Sequence, residues 1–175
     1  MEGFAPMQEK LDIKILILFI LRRLPGEVEG ETLANLVLSD GAAGYFEYAE
    51  CLAELEDSGH VERKGRAYRI TEKGNRNCEI VESSLPYTVR TRLEKRLQPL
   101  AEGMRRRAMI TAEHDSGSDG GVRVHLALSD DVGPVMDGRF LCGSEDQARK
   151  IEERFRARAE QIYNTIMETL LNDEG

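Results

Sequence analysis

Tryptophan is absent from this 175-residue chain, and aromatic residues make up only 6% of it. The remaining apolar content, 41% in all, is ordinary for a globular protein, so a packed core is expected and wholesale disorder is excluded. The three cysteines, Cys51, Cys78 and Cys142, are isolated from one another. No CxxC pair or Cys/His cluster accompanies them. That excludes a disulfide framework or a zinc module and fits a reducing, cytoplasmic setting, with each thiol acting as a small buried hydrophobe. Long hydrophobic runs are also missing. The one strongly apolar stretch, Ile15 to Leu21, is far shorter than the ~20 residues a spanning helix needs. Lys14 precedes it, Arg22 and Arg23 follow it, and no small-residue cleavage site appears, so neither a membrane span nor a signal peptide is expected.

Positive charge is the other shortage. There are 24 Lys and Arg against 32 Asp and Glu, a formal net charge of −8. Between Glu27 and Glu62 there is no Lys or Arg at all. This balance argues against strong nonspecific affinity for nucleic acid but leaves room for a local basic patch.

The pattern of apolar residues divides the chain. Residues 1–10 read as a flexible arm. Asp12 to Leu24 is a helix, apolar on nearly every side, stopped by Pro25-Gly26. Thr32 to Leu38 is a short second helix, followed by turn chemistry at Ser39-Asp40-Gly41. A third helix runs from about Tyr45 to Ser58, with Tyr48, Cys51, Leu52 and Leu55 on one face and Gly59 at its C-terminus. The period then changes to two. Val61 lies on one short strand, Lys64-Gly65 form a turn, and Tyr68 and Ile70 lie on the other. The tip of this hairpin is basic. Thr71 is placed to cap a fourth helix through Ile80 and Val81. Helix, helix, helix, hairpin, helix is the order of a winged helix-turn-helix, expected here over residues 11–84.

Residues 85–175 read as a separate α+β region. Val89, Leu93, Leu97, Leu100 and Met104 mark one face of a helix, with a kink expected at Pro99. Val122, Val124, Leu126 and Leu128 alternate as a half-buried strand. With Ser116 to Gly120 as the loop, Ile110 faces Leu126, Ala112 faces Val124, Glu113 faces Arg123 and His125 faces Thr111. "PVMDGRFLC" is the third strand. A long helix follows from Ser144, with Ile151, Phe155, Ala159, Ile162, Ile166 and Leu170 on one face and Glu152, Glu153, Arg156 and Arg158 off it. The overall class is therefore α+β: a winged helix-turn-helix followed by a small antiparallel sheet flanked by two helices.

Two resemblances sharpen this reading. "YRITEKG", residues 68 to 74, is similar to the second wing strand and following helix of PadR-like regulators. "LDIKILILFILRRLPG", "GYFEYAECLAELEDSGH", "YRITEKG", "NCEIVESSLPY", "MITAEHD" and "VHLALSD" together resemble the uncharacterised winged-helix family known as domain of unknown function 4364, over residues 11–171. What the resemblance implies is a winged-helix fold and, by analogy, a regulatory role.

No motif carries catalysis, and no enzyme activity, cofactor or metal is expected. "DSGSDGG" lies between two strands and lacks the helix N-terminus that holds phosphate in a P-loop. His60, His114 and His125 do not converge in the expected register. Paired acids such as Glu152-Glu153 read as surface residues. Binding is left. In a winged helix the third helix enters the major groove and the wing grips the backbone. The candidate DNA contacts are Tyr45 and Tyr48 on that helix, Arg63, Lys64, Arg66 and Arg69 on the hairpin, and Arg90 and Arg92 beyond it. For Tyr48 the competing role is core packing. Glu47, Glu50, Glu54, Glu56 and Asp57 oppose the assignment, because carboxylates on the reading helix repel phosphates. Two expectations stand side by side. One is a homodimeric transcriptional regulator that binds DNA, with the C-terminal region dimerising or sensing. The other is a protein-interaction module that offers its acidic third helix to a basic partner. The helix of residues 12–24 is too apolar for the winged-helix core to cover, so either the C-terminal helices fold back over it or a second chain does; the expected dimer face is that helix or the terminal helix around Ile162, Ile166 and Leu170.

Overall fold

A computed structural model of the chain describes residues 10–39, 41 and 43–172. The expected arm, apart from Lys10, and Asp40 of the expected turn lie outside these residues. The fold is α+β: six α-helices and two antiparallel three-stranded sheets among the described residues. Two compact units divide it, residues 1–104 and 105–175.

The first unit is built around α1 (Lys10–Arg23). Every side chain from Ile15 to Leu21 is buried, with Phe19, Ile17 and Ile20 fully so. The cover comes from this unit itself. α2 (Gly30–Leu38), α3 (Tyr45–Asp57), α4 (Glu72–Val81) and the start of α5 (Tyr87–Ala108) all contribute to one core with α1. Of the two covers expected for α1, a helix of the C-terminal region folding back or a second chain, the first is found, so α1 is not an open dimer face. Val89, Leu93, Leu97 and Ala101 of α5 add the face that three helices and a hairpin would leave open. Leu100, placed on that face by its sequence spacing, instead points partly to solvent, and Ala101 takes its position. α5 continues through Pro99.

The first sheet has the order β1-β3-β2. β2 (Val61–Lys64) and β3 (Ala67–Ile70) form the expected hairpin, with Val61 opposite Ile70 and Lys64 opposite Ala67. Gly65 takes a positive φ of 62° in the turn, as tight hairpins require. A two-residue strand, β1 (Val28–Glu29), pairs with Tyr68 and Ala67. The Gly30 N–H then donates to the Arg66 carbonyl at 2.8 Å. This ties the start of α2 to the hairpin turn.

Thr71 caps α4, its hydroxyl accepting from the Gly74 N–H at 3.1 Å. It also donates toward the Gly59 carbonyl. At the far end, Glu82 draws Arg22 and Arg23 together at 3.2 and 2.9 Å. Arg23 also reaches Glu94 of α5 and lies 3.5 Å over the Phe19 ring. Hydrogen bonding from Arg23 holds the Glu82 carboxyl below its ordinary range, against the opposing effect of burial.

The second unit is a sheet of order β4-β5-β6 with α6 (Glu145–Leu171) on one face. β4 (Ile110–Ser116) pairs with β5 (Val122–Ser129), and β5 with β6 (Pro134–Cys142). The register differs from the sequence expectation by two residues. Ile110 faces Leu128, Ala112 faces Leu126, and Glu113 faces His125 rather than Arg123. The turn occupies Gly117 to Gly121, closed by Gly117 N–H to Gly121 O at 2.8 Å, with Gly120 at a φ of 76°. Asp119 accepts from Arg123 in that turn, so Arg123 is not Glu113's partner. A shift of two preserves the faces, because strand side chains alternate with period two. The apolar set therefore still meets α6.

Glu152 is a second correction. It is buried against the sheet, not on the surface. Its Oε1 lies 2.5 Å from His114 Nδ1, and Arg156 approaches its other oxygen. Arg156 also donates to the Ala112 carbonyl. Both of its oxygens thus have polar partners, as a buried polar side chain requires. α6 leaves helical geometry at Arg158, with φ −140° and ψ 24°. Its 27 residues span about 40 Å, longer than a nine-residue strand, so its last turns run past the sheet. There Ile166, Leu170 and Leu171 are exposed.

Candidate nucleic-acid interface

The first turn of α3 is shaped by its own sequence. Gly44 is the N-cap, and Glu47 folds back so that its carboxylate accepts from the Gly44 N–H at 3.1 Å. This is half of a capping box, since glycine has no side chain to return the bond. It also sets a negative charge against the positive end of the helix dipole. Tyr48, Cys51, Leu52 and Leu55 turn inward. Tyr48 is 4% exposed, and burial pushes its hydroxyl far above the ordinary tyrosine range. The sequence puts Tyr48 among the expected DNA contacts; its burial in the core corrects that. Tyr45 remains outside at 64% exposed. Phe46, absent from the sequence-based candidates, is 87% exposed and meets Tyr45 edge-on at 6.2 Å between ring centroids.

The acidic side of α3 is partly neutralised from α1. Lys10 pairs with Glu50 at 2.6 Å, and Lys14 pairs with Glu54. Each pairing shifts a titration: Glu50 raises Lys10, and Lys14 lowers Glu54. Both pairs are too exposed to add much stability, but they cancel charge where the helix meets solvent. Glu56 and Asp57 lie at the other end of α3. With Glu62 and Arg63 they line an open groove of roughly 520 Å³ beside the hairpin. The charges of Glu50 and Glu54 are thus matched by cations, while Glu47 at the first turn and Glu56 and Asp57 near the C-terminus remain negative.

The hairpin holds four cations in unequal states. Lys64 pairs with Glu27 at 3.4 Å, and Arg69 with Glu62 at 3.1 Å. Arg63 hydrogen-bonds the Gly65 carbonyl at 3.1 Å and stands 5.9 Å from the centroid of the Tyr68 ring. Arg66 is exposed in the turn. Neither Arg63 nor Arg66 has a carboxylate partner among the described residues. Arg90 and Arg92 sit on the first turns of α5. Arg90 is half-buried, its Nε enclosed without a hydrogen-bond partner, whereas Arg92 lies at the surface. Arg96 donates to the Ser39 hydroxyl and so belongs to the fold.

The turn between α3 and β2 is tied to α4. His60 bridges the Ser58 hydroxyl at 2.8 Å and the Asn77 amide at 2.9 Å. Lys73 donates to the Ser58 carbonyl at 2.6 Å. Among the described residues no three His, Cys, Asp or Glu side chains are grouped to hold a metal ion. No helix there is long and apolar enough to cross a membrane.

The family described as Domain of unknown function (DUF4364) matches residues 13–170, and the chain belongs to that family. No curated protein and no solved structure matches the chain.

Proposed function

We propose that the first unit is a winged helix-turn-helix and that the protein is a DNA-binding transcriptional regulator acting as a homodimer. In this reading α3 is the reading helix, the β2–β3 hairpin is the wing, and the second unit supplies the dimer contact. One observation carries the assignment. The first turn of α3 presents exposed aromatic side chains while its carboxylates are engaged elsewhere, and the same unit carries a hairpin tip with two arginines unpaired by carboxylates among the described residues. Base contacts in such domains come from the N-terminal part of the reading helix, and cations on the wing supply phosphate attraction. The acidic composition then limits nonspecific binding without forbidding a specific site. Tyr45, Arg63, Arg66 and Arg92 are the proposed contacts, with Lys64 and Arg69 able to exchange a carboxylate for a phosphate. The exposed Ile166, Leu170 and Leu171 of α6 support the dimer.

The alternative, a protein-interaction module, rests on the groove lined by Glu56, Asp57 and Glu62, which suits a basic segment. Selection of bound duplexes from a random-sequence pool at low salt separates the two. Enrichment of a two-fold-symmetric sequence is the outcome expected for a dimeric regulator. Failure to enrich any duplex contradicts the proposal and favours the groove.

A further inference from the structure

We infer that Phe46 is a specificity-determining residue that reads thymine C5-methyl groups in the major groove, with Tyr45 as its support; the inference rests on the DNA-binding reading above. Phe46 is the most exposed aromatic side chain among the described residues of the first unit, at 87%. Its position is set by the helix. With Tyr48, Cys51, Leu52 and Leu55 on the core face, residue 46 projects to the opposite side of α3. It lies in the first turn, the part of a reading helix that reaches base edges.

The chemistry of the ring narrows what it can recognise. Phe has no donor or acceptor, so it cannot read the hydrogen-bonding code of guanine, cytosine or adenine. The apolar feature among major-groove base edges is the thymine methyl, and contact with an apolar side chain is one of the recognised ways it is read. The nearby carboxylates are engaged, although Glu47 keeps its negative charge. Glu47, the nearest carboxylate in sequence, is folded onto the Gly44 N–H at 3.1 Å, and Glu50 is matched by Lys10 at 2.6 Å. Tyr45 meets the ring edge-on at 6.2 Å between centroids, and its hydroxyl is available for a phosphate or base edge. Arg63 and Arg66 supply the positive charge that draws the same unit to a phosphate-flanked groove.

The test uses the full-length protein and the duplex that it selects from a random pool. Each thymine in that duplex is replaced singly by uracil, which removes one methyl group and leaves the hydrogen-bonding edges unchanged. Wild type is expected to lose about fourfold in affinity at one or two thymines, the effect of one buried methyl. Phe46→Ala is expected to bind the parent duplex more weakly and to be indifferent to uracil at those positions. Because Phe46 is exposed, this variant should retain the wild-type melting temperature, so a binding loss is not an unfolding effect. If every uracil substitution leaves wild-type affinity unchanged, Phe46 does not read thymine, while the DNA-binding reading stands on the selected duplex. If Phe46→Ala keeps the wild-type uracil sensitivity, a different residue reads the methyl and the assignment is overturned. If no duplex is selected at all, the DNA reading fails first, the inference falls with it, and the aromatic pair faces a protein.

Discussion

Gly74→Ala in α4 sets two opposing effects against each other. Within a helix, glycine to alanine normally stabilises by about 1 kcal/mol, because alanine loses less backbone entropy. At Gly74 an added Cβ would clash with the His60 carbonyl oxygen and lie 2.9 Å from Ile70 Cγ1. The first neighbour is backbone, so it cannot rotate away. That same carbonyl accepts from the Thr71 N–H at 3.0 Å. Moving it weakens that bond, worth roughly 1 kcal/mol, and adds overpacking of about 1–3 kcal/mol. After subtracting the propensity gain, Gly74→Ala should destabilise the first unit by about 1–3 kcal/mol. Urea unfolding followed by tyrosine fluorescence suits this measurement. Tyr45, Tyr48, Tyr68 and Tyr87 lie in the first unit and only Tyr163 in the second. The midpoint should fall with the slope unchanged. A variant as stable as wild type, or more stable, would refute the argument that close approach of the hairpin to α4 requires glycine here.

Two further predictions concern other parts of the structure. Glu82→Gln leaves Arg22 and Arg23 without their shared carboxylate, and should cost about 1–3 kcal/mol, between the exposed and fully buried cases. The Glu82 carboxyl is lowered by folding, so its stabilisation is present above about pH 4.5 and is lost as pH falls through the folded value. The stability gap between wild type and Glu82→Gln should accordingly be constant from about pH 6 to 8 and close in acid; a gap that widens in acid contradicts the assignment. On assembly, light scattering should give a dimer mass that Ile166→Ser with Leu170→Ser reduces to a monomer without loss of helical signal, since both residues are exposed in the single chain; a wild-type monomer would remove α6 from the account.

Local patterns in the sequence carry much of the fold. Apolar spacing locates α3 and α6, the change of period locates the hairpin, and the Thr71 cap locates α4, because each depends on residues close in the chain. What escapes depends on distant partners. The two residues of β1 are too few for a period, and only their pairing with Tyr68 and Ala67 makes a strand. Lys10 and Lys14 are far in sequence from their partners Glu50 and Glu54, so α3 reads as more acidic than it is. Glu152 reads as surface because its partner, His114, lies on another element. The β4–β5 register differs by two because a glycine-rich loop fits several turn centres. In the candidate site, Tyr45 and the basic hairpin are legible. Tyr48 falls on the core side of α3, and its spacing from Cys51, Leu52 and Leu55 already carries that information. The same projection places Phe46 outward and is the signal that finds it.

If the first unit holds DNA through the hairpin tip as well as α3, as proposed, a salt titration of affinity for one labelled duplex should separate wild type from the Arg63→Ala, Lys64→Ala, Arg66→Ala triple variant. All three side chains are exposed, so folding should be unaffected. The variant should bind every sequence more weakly, with a log-log salt slope shallower by about one unit for each phosphate it no longer neutralises. Arg63 and Arg66 contribute more to that change than Lys64, which Glu27 already engages. A triple variant that matches wild type in affinity and slope would contradict the account and leave the hairpin as a solvated turn.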